Sequence, residues 1–95
     1  MRRGLPVAYN VEYLPRAVKS LKKLDKQTAS RIFDAMDEVA CLDDPRCQGK
    51  GLTGPLSGLW RYRVGDYRVI CDIRDGELVV LVVEVEHRSR IYRRH

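Results

Sequence analysis

Nine positions in this chain could share one piece of chemistry. Arg61, Arg63 and Arg68 bracket a Gly65-Asp66 pair, and His87, Arg88, Arg90, Tyr92, Arg93 and Arg94 follow near the C-terminus. Guanidinium groups hold phosphate oxygens through paired hydrogen bonds and stabilise the charge that builds on a phosphorane-like transition state. An imidazole or a phenol can move the protons, and a tyrosine ring can also stack on a base. The set suits work on a phosphodiester.

The elements that must hold these residues are strands. Segments 60–64, 67–73 and 77–86 are rich in Val, Ile, Tyr and Trp. Gly65-Asp66 separates the first two and suits a type II′ hairpin turn, while Asp75-Gly76 separates the next two and suits type I′. The last segment is apolar on both faces, which predicts an interior strand. A two-residue turn at Gly65-Asp66 pairs Val64 with Tyr67, Arg63 with Arg68, Tyr62 with Val69 and Arg61 with Ile70. Trp60, Tyr62, Val64, Tyr67, Val69 and Cys71 then share the face that packs on the rest of the protein, and the three arginines share the other.

Directly opposed like charges in a sheet are unfavourable, on the order of the ~0.2–1 kcal/mol of cross-strand pairs. A bound polyanion would convert that cost into affinity, with Asp72 as a nearby partial neutraliser. On the bland alternative the arginines extend into solvent and salt screens them. Extending the second hairpin's register puts Val83, Val85 and His87 on the arginine face and points Arg88 away.

The N-terminal half is expected to supply a first strand at 7–13 and two helices. Pro15 suits a first helical turn, with Ala17, Val18, Leu21 and Leu24 at helical spacing. Asp25 is an N-cap candidate for a second helix over 26–42, whose apolar stripe is Ala29, Ile32, Phe33, Met36, Val39 and Ala40. The tight connection predicts an antiparallel helical hairpin. Lys19, Lys22, Lys23 and Lys26 lie on the polar side and could contact RNA phosphates, or simply face solvent. Asp34, Asp37 and Glu38 read as a solvated face. Residues 43–58 hold prolines and glycines without periodicity and read as a loop. The fold class is α+β: β-α-α-β-β-β, an antiparallel sheet packed on a helical hairpin.

Composition narrows the function further. Ninety-five residues with 44% apolar and 33% charged content make one small globular domain, spanning 1–95. That is too short for a dinucleotide dehydrogenase, and its longest apolar run is far below the roughly 20 residues of a membrane span. Arg2 and Arg3 precede no apolar stretch of the kind a signal peptide needs. Three cysteines without CxxC spacing argue against a disulfide framework or a zinc site, so no cofactor or metal is expected and a reducing cytoplasm is the default. Ser57 has no nucleophile partners, and no phosphate-loop glycine pattern exists. A net charge of +5 favours an anionic partner.

The chain resembles the RelE family of the RelE/ParE toxin superfamily. The resemblance is carried by AVKSLKKLD at 17–25, Asp44-Pro45, LTGPLSGLWRYRVGDYRVI at 52–70, and VEHRSRIYRR at 85–94, which resembles the family's terminal His-Arg-x-x-x-Tyr. The resemblance implies the toxin half of a type II toxin–antitoxin pair: a metal-independent mRNA endoribonuclease that cuts codons in the ribosomal A site. There the RNA 2′-hydroxyl attacks the adjacent phosphate, leaving a 2′,3′-cyclic phosphate and a 5′-hydroxyl. The family's basic site residues map onto Arg61, Arg63, Arg68 and Arg88, and its late tyrosine onto Tyr92. Some relatives carry lysines where Arg61 and Arg63 stand. Because arginine stays protonated, the expected proton acceptor here is His87, with Tyr92 second. The implied partners are a RelB-like antitoxin, the ribosome and mRNA, and operator DNA only through the antitoxin complex; no membrane is implied. The competing expectation is a ParE-type DNA gyrase inhibitor without nuclease activity, a class that generally lacks this arginine–tyrosine set. A non-catalytic RNA-binding domain is the blandest option.

Overall fold

A computed structural model describes residues 9–89. Strand β1 (Asn10–Tyr13) leads into helix α1 (Pro15–Lys22) and, after a tight connection, helix α2 (Lys26–Ala40). A loop with 3-10 turns at Pro45–Cys47 and Gly54–Leu56 carries a two-residue strand, β2 (Lys50–Gly51). Strands β3 (Trp60–Val64), β4 (Tyr67–Arg74) and β5 (Val79–His87) complete the order. Pro15 opens α1, and Asp25 caps α2 by accepting from the Thr28 amide at 3.2 Å. Helix α2 ends two residues before its expected limit, with Cys41 as its C-cap. Residues 7 and 8, expected in the first strand, lie outside the described residues.

The sheet has five strands in the order β1-β5-β4-β3-β2. It is mixed rather than antiparallel, because β1 runs parallel to β5. The three C-terminal strands are antiparallel neighbours, and β5 lies in the interior, as its two-sided apolar character predicts. After Tyr13 the chain turns into α1, which packs chiefly on β5, so helix takes over where β1 stops. The core joins Ala17, Leu21, Ile32, Met36 and Val39 from the helices to Tyr62, Val69, Cys71, Val80, Val82 and Val85 from the sheet. Phe33, expected in the helix stripe, is instead 42% exposed and meets Tyr13 edge-on at 5.3 Å. Among the described residues no helix is long and apolar enough to cross a membrane.

The two hairpins diverge from each other. Gly65 has φ +59 and Asp66 is not left-handed, the pattern of the II′ turn, and the register Val64↔Tyr67 is the expected one. At Asp75-Gly76 the I′ expectation fails. A 3-10 turn over Asp75–Glu77 and a left-handed Leu78 (φ 56) make a longer loop, pairing Arg74 with Val79. Asp75 is held outward instead: Arg46 grips it through two bonds of 3.0 Å, and the Tyr9 hydroxyl donates to it at 2.7 Å.

A second irregularity has larger consequences. Cys71 pairs with Val82 but Ile70 with Glu84, so Val83 is an extra residue on β5. Side chains alternate along a strand, so one inserted residue reverses the faces of everything beyond it. The longer loop adds two residues and leaves the parity unchanged, whereas the bulge changes it. Val85 and His87 therefore lie on the helix-side face rather than with the arginines, and Glu84 and Glu86 take their places.

Two outcomes check this packing. Met36→Ala, at a fully buried position, is expected to cost about 2–5 kcal/mol in urea unfolding. Val85→Asp should abolish cooperative folding while Val83→Asp at the half-buried bulge folds; the reverse order would contradict the register. The Arg46 guanidinium, then the Tyr9 hydrogen bond, holds the Asp75 carboxyl below its ordinary 3.8. A carboxyl depressed by folding contributes stability that is complete above its unfolded value and lost as pH falls through the folded one. The melting-temperature gap between wild type and Asp75→Asn should thus be constant above about pH 5 and close on further acidification.

Candidate functional site

The face of the sheet away from the helices is built in rows. One row across β3, β4 and β5 reads Arg63, Arg68, Glu86, and the next reads Arg61, Ile70, Glu84. The expected juxtaposition of Arg63 and Arg68 is present, with Arg61 two residues along. Arg63 is exposed, Arg61 half-buried, and Arg68 only 9% exposed. Arg68 thus stands between a like charge on β3 and an opposite one on β5.

The loop after α2 sets the outer wall. The Trp60 indole donates to the Gln48 carbonyl at 2.6 Å, and the buried Tyr62 hydroxyl donates to the Pro45 carbonyl at 2.6 Å. Burial pushes the Tyr62 phenol up, so it stays a donor. Gly49, at φ +79, lies so close to β3 that a Cβ would run into the Arg61 carbonyl and the Trp60 and Tyr62 side chains. With the loop pinned there, Leu52, Leu56 and Leu59 border a groove of about 390 Å³. Arg61 and Arg68 line the same groove, and its far side carries Glu84, Glu86 and Arg16 of α1. The Arg16 Nε lies 2.9 Å from Glu84, which also accepts from the Ser20 hydroxyl at 3.5 Å.

The remaining expected residues are distributed unevenly. His87 is the Cα partner of Tyr67 on the helix-side face, and the two rings meet edge-on at 5.1 Å. The Ser89 backbone N–H donates to its Nδ1 at 3.2 Å, and the Ser89 hydroxyl lies 2.8 Å from the same nitrogen. An amide N–H can only donate, so Nδ1 is the acceptor and the neutral ring carries its proton on Nε2. Arg88 follows the end of β5; its amide donates to the Asp66 carbonyl at 2.8 Å and its guanidinium lies 3.9 Å from the Asp66 carboxylate. This brings Arg88 to the tip of the arginine hairpin. Arg90, Tyr92, Arg93 and Arg94 lie outside the described residues. Lys19, Lys22, Lys23 and Lys26 are exposed on and between the two helices. Asp72 is engaged by Arg74 at 3.1 Å rather than by the arginine row. Cys71 is a core thiol that burial pushes up.

Sequence reasoning missed Arg16, Glu84 and Glu86. A signal for the carboxylates was present. Val82 and Val85 are both strongly apolar yet three apart, while Glu84 and Glu86 flank Val85. A strand that buries both valines needs one extra residue between them.

A helix-backed mixed sheet with a basic hairpin face defines a small toxin of the type II toxin–antitoxin class. Residues 11–92 match the family described as "ParE toxin of type II toxin-antitoxin system, parDE", and the chain belongs to that family. Within it the chain is a RelE-type toxin: it is 36% identical to toxin RelG of Mycobacterium tuberculosis over 89 residues, covering 90% of this chain and 98% of the relative. The fold agrees with the toxin–antitoxin complex RelBE2 of the same organism (TM-score 0.67, 34% identity, 87% of this chain and 94% of that one). It also agrees with the RelE–RelB complex of Pyrococcus horikoshii (TM-score 0.69, 30% identity, 88% and 99%).

The histidine geometry has its own check. Long-range ¹⁵N–¹H spectra of the neutral imidazole should show His87 as the Nε2–H tautomer. A dominant Nδ1–H form would contradict the Ser89 contact.

Proposed function

We propose that this toxin is a ribosome-dependent mRNA endoribonuclease that cuts codons in the ribosomal A site and thereby stops translation. The observation that carries the reading is the facing pair Arg63 and Arg68, with Arg61 in the next row and a groove beside them that Arg61 and Arg68 line. An RNA phosphate seated there relieves the like-charge opposition and gains hydrogen bonds to guanidinium groups. In the proposed reaction the RNA 2′-hydroxyl attacks the adjacent phosphate, producing a 2′,3′-cyclic phosphate and a free 5′-hydroxyl without a metal. The arginines stabilise the charge that accumulates on the phosphate oxygens.

Arg61, Arg63 and Arg68 make the grip, Arg88 adds to it from the hairpin tip, and Tyr92 is assigned to the site through its match to the family's terminal motif. His87 is not given the proton, because its ring lies on the opposite face with Nδ1 held by Ser89. Lys19, Lys22, Lys23 and Lys26 are assigned phosphate contacts away from the cut. The inhibitor in this reading is a RelB-like antitoxin, since two relatives were solved as toxin–antitoxin complexes. Operator DNA is contacted only through that complex. The ribosomal target places the action in the cytoplasm.

The ParE description of the matched family supports a second reading, inhibition of DNA gyrase without RNA cleavage. Primer extension on mRNA in a translating extract separates the two. The purified chain should produce cuts confined to ribosome-occupied codons, and Arg63→Ala should reduce them about 10²–10³-fold. Supercoiling defects with intact message would establish the gyrase reading instead.

A further inference from the structure

We infer that His87 is a positioning residue: its neutral imidazole clasps the Ser89 amide and thereby sets where Arg88 stands toward the RNA phosphate. This rests on the ribonuclease reading and gives the histidine a part in the site other than carrying the proton.

Strand β5 ends at His87, and the backbone is helical at Arg88 and Ser89. His87 therefore occupies the position of a helix N-cap. Its Nδ1 accepts from the amide two residues on at 3.2 Å, the bond that an Asn, Asp or Ser oxygen makes at such a place. The preceding amide, that of Arg88, donates to the Asp66 carbonyl at 2.8 Å. Arg88 is thus held through the peptide on either side of its Cα. One peptide is fastened to the Gly65-Asp66 turn and the other to the ring.

The Arg88 side chain does little to place itself. Its guanidinium lies 3.9 Å from the Asp66 carboxylate, with the two side chains 62% and 70% exposed, and ion pairs so open to water hold weakly. The backbone anchors must supply the order. The ring that makes one of them is itself fixed: His87 is half-buried, pairs with Tyr67 across the sheet and meets that ring edge-on at 5.1 Å. Tyr67 opens β4 directly after the turn. Turn, tyrosine, histidine and arginine therefore close one unit at the hairpin tip, and the histidine links the strand end to the residue that the phosphate meets.

The test compares His87→Asn with His87→Gln in single-turnover cleavage of ribosome-bound mRNA by the full chain, with melting temperatures confirming that each variant is folded. Asn carries its acceptor oxygen on Cγ, where the ring carries Nδ1, whereas Gln carries it one bond farther out. His87→Asn should cleave within about threefold of wild type, since Asn is a favoured N-cap. His87→Gln should cleave about 10–100-fold more slowly, the loss expected of a displaced phosphate contact. Hydrogen exchange at the Ser89 amide should stay slow in His87→Asn and quicken in His87→Gln. In an Arg88→Ala background, which is itself slow, adding His87→Gln should change the rate by less than about twofold, because the two residues act through one contact.

Equal losses in His87→Asn and His87→Gln, with the Ser89 amide still protected in His87→Asn, overturn the inference and mark the ring as a proton carrier. So do a His87→Gln protein that cleaves at the wild-type rate, an Arg88→Ala protein that does so, and losses that simply add in the double variant. Should wild type leave ribosome-bound message intact, the ribonuclease reading fails, an outcome distinct from these because Ser89 exchange reports the clasp without any cleavage.

Discussion

Burial of both Val82 and Val85 against the two helices governs what this protein presents on its other face. The two valines are three positions apart on one strand, and strict alternation would expose one of them. Inserting Val83 opposite the Ile70–Cys71 step lets both reach the core. Exposing either would forfeit about 25 cal/mol for each Å² of apolar surface left in water, whereas a bulge sacrifices only local ladder regularity. Core packing wins, and the cost falls on the open face, where Glu84 and Glu86 emerge beside the arginines.

That exchange changes the electrostatics of the site. A row of guanidinium groups alone would repel itself and leave Arg68, nearly buried, facing only like charge. With Glu86 across from it, Arg68 lies in a mixed field. Glu84 is drawn toward α1 by Arg16, tying the helix that follows β1 to the edge of the groove. The scaffold on the other side is equally specific. Tyr62 and Trp60 fasten the long loop through backbone carbonyls, and Gly49 permits the close approach on which Arg61's position depends. The leucines that border the groove are placed by these tethers.

The end of the sheet collects a different group. Arg88 returns to the Gly65-Asp66 turn, while His87 packs on Tyr67 across the sheet from the arginine row. Neighbours in sequence are thus separated in role, because β5 ends between them. His87 is the last residue of the strand, and Arg88 is tied to the turn by its amide and its guanidinium.

Much of this was legible in the chain itself. Pro15 and Asp25 mark the starts of the two helices by local chemistry, and Gly65-Asp66 sets a hairpin register in which Arg63 must oppose Arg68. These features depend on residues a few positions apart, so local rules determine them. The parallel pairing of β1 with β5, the failure of Asp75-Gly76 as a two-residue turn and the bulge at Val83 depend on distant partners. They follow respectively from where the helices return the chain, from Arg46 and Tyr9 gripping Asp75, and from the shape of a shared core. Arginine placement was therefore a property of the sequence. Which acid stands beside those arginines was decided only when the whole core had to close, because a single inserted residue reverses a strand's faces and only three-dimensional packing shows where it must go.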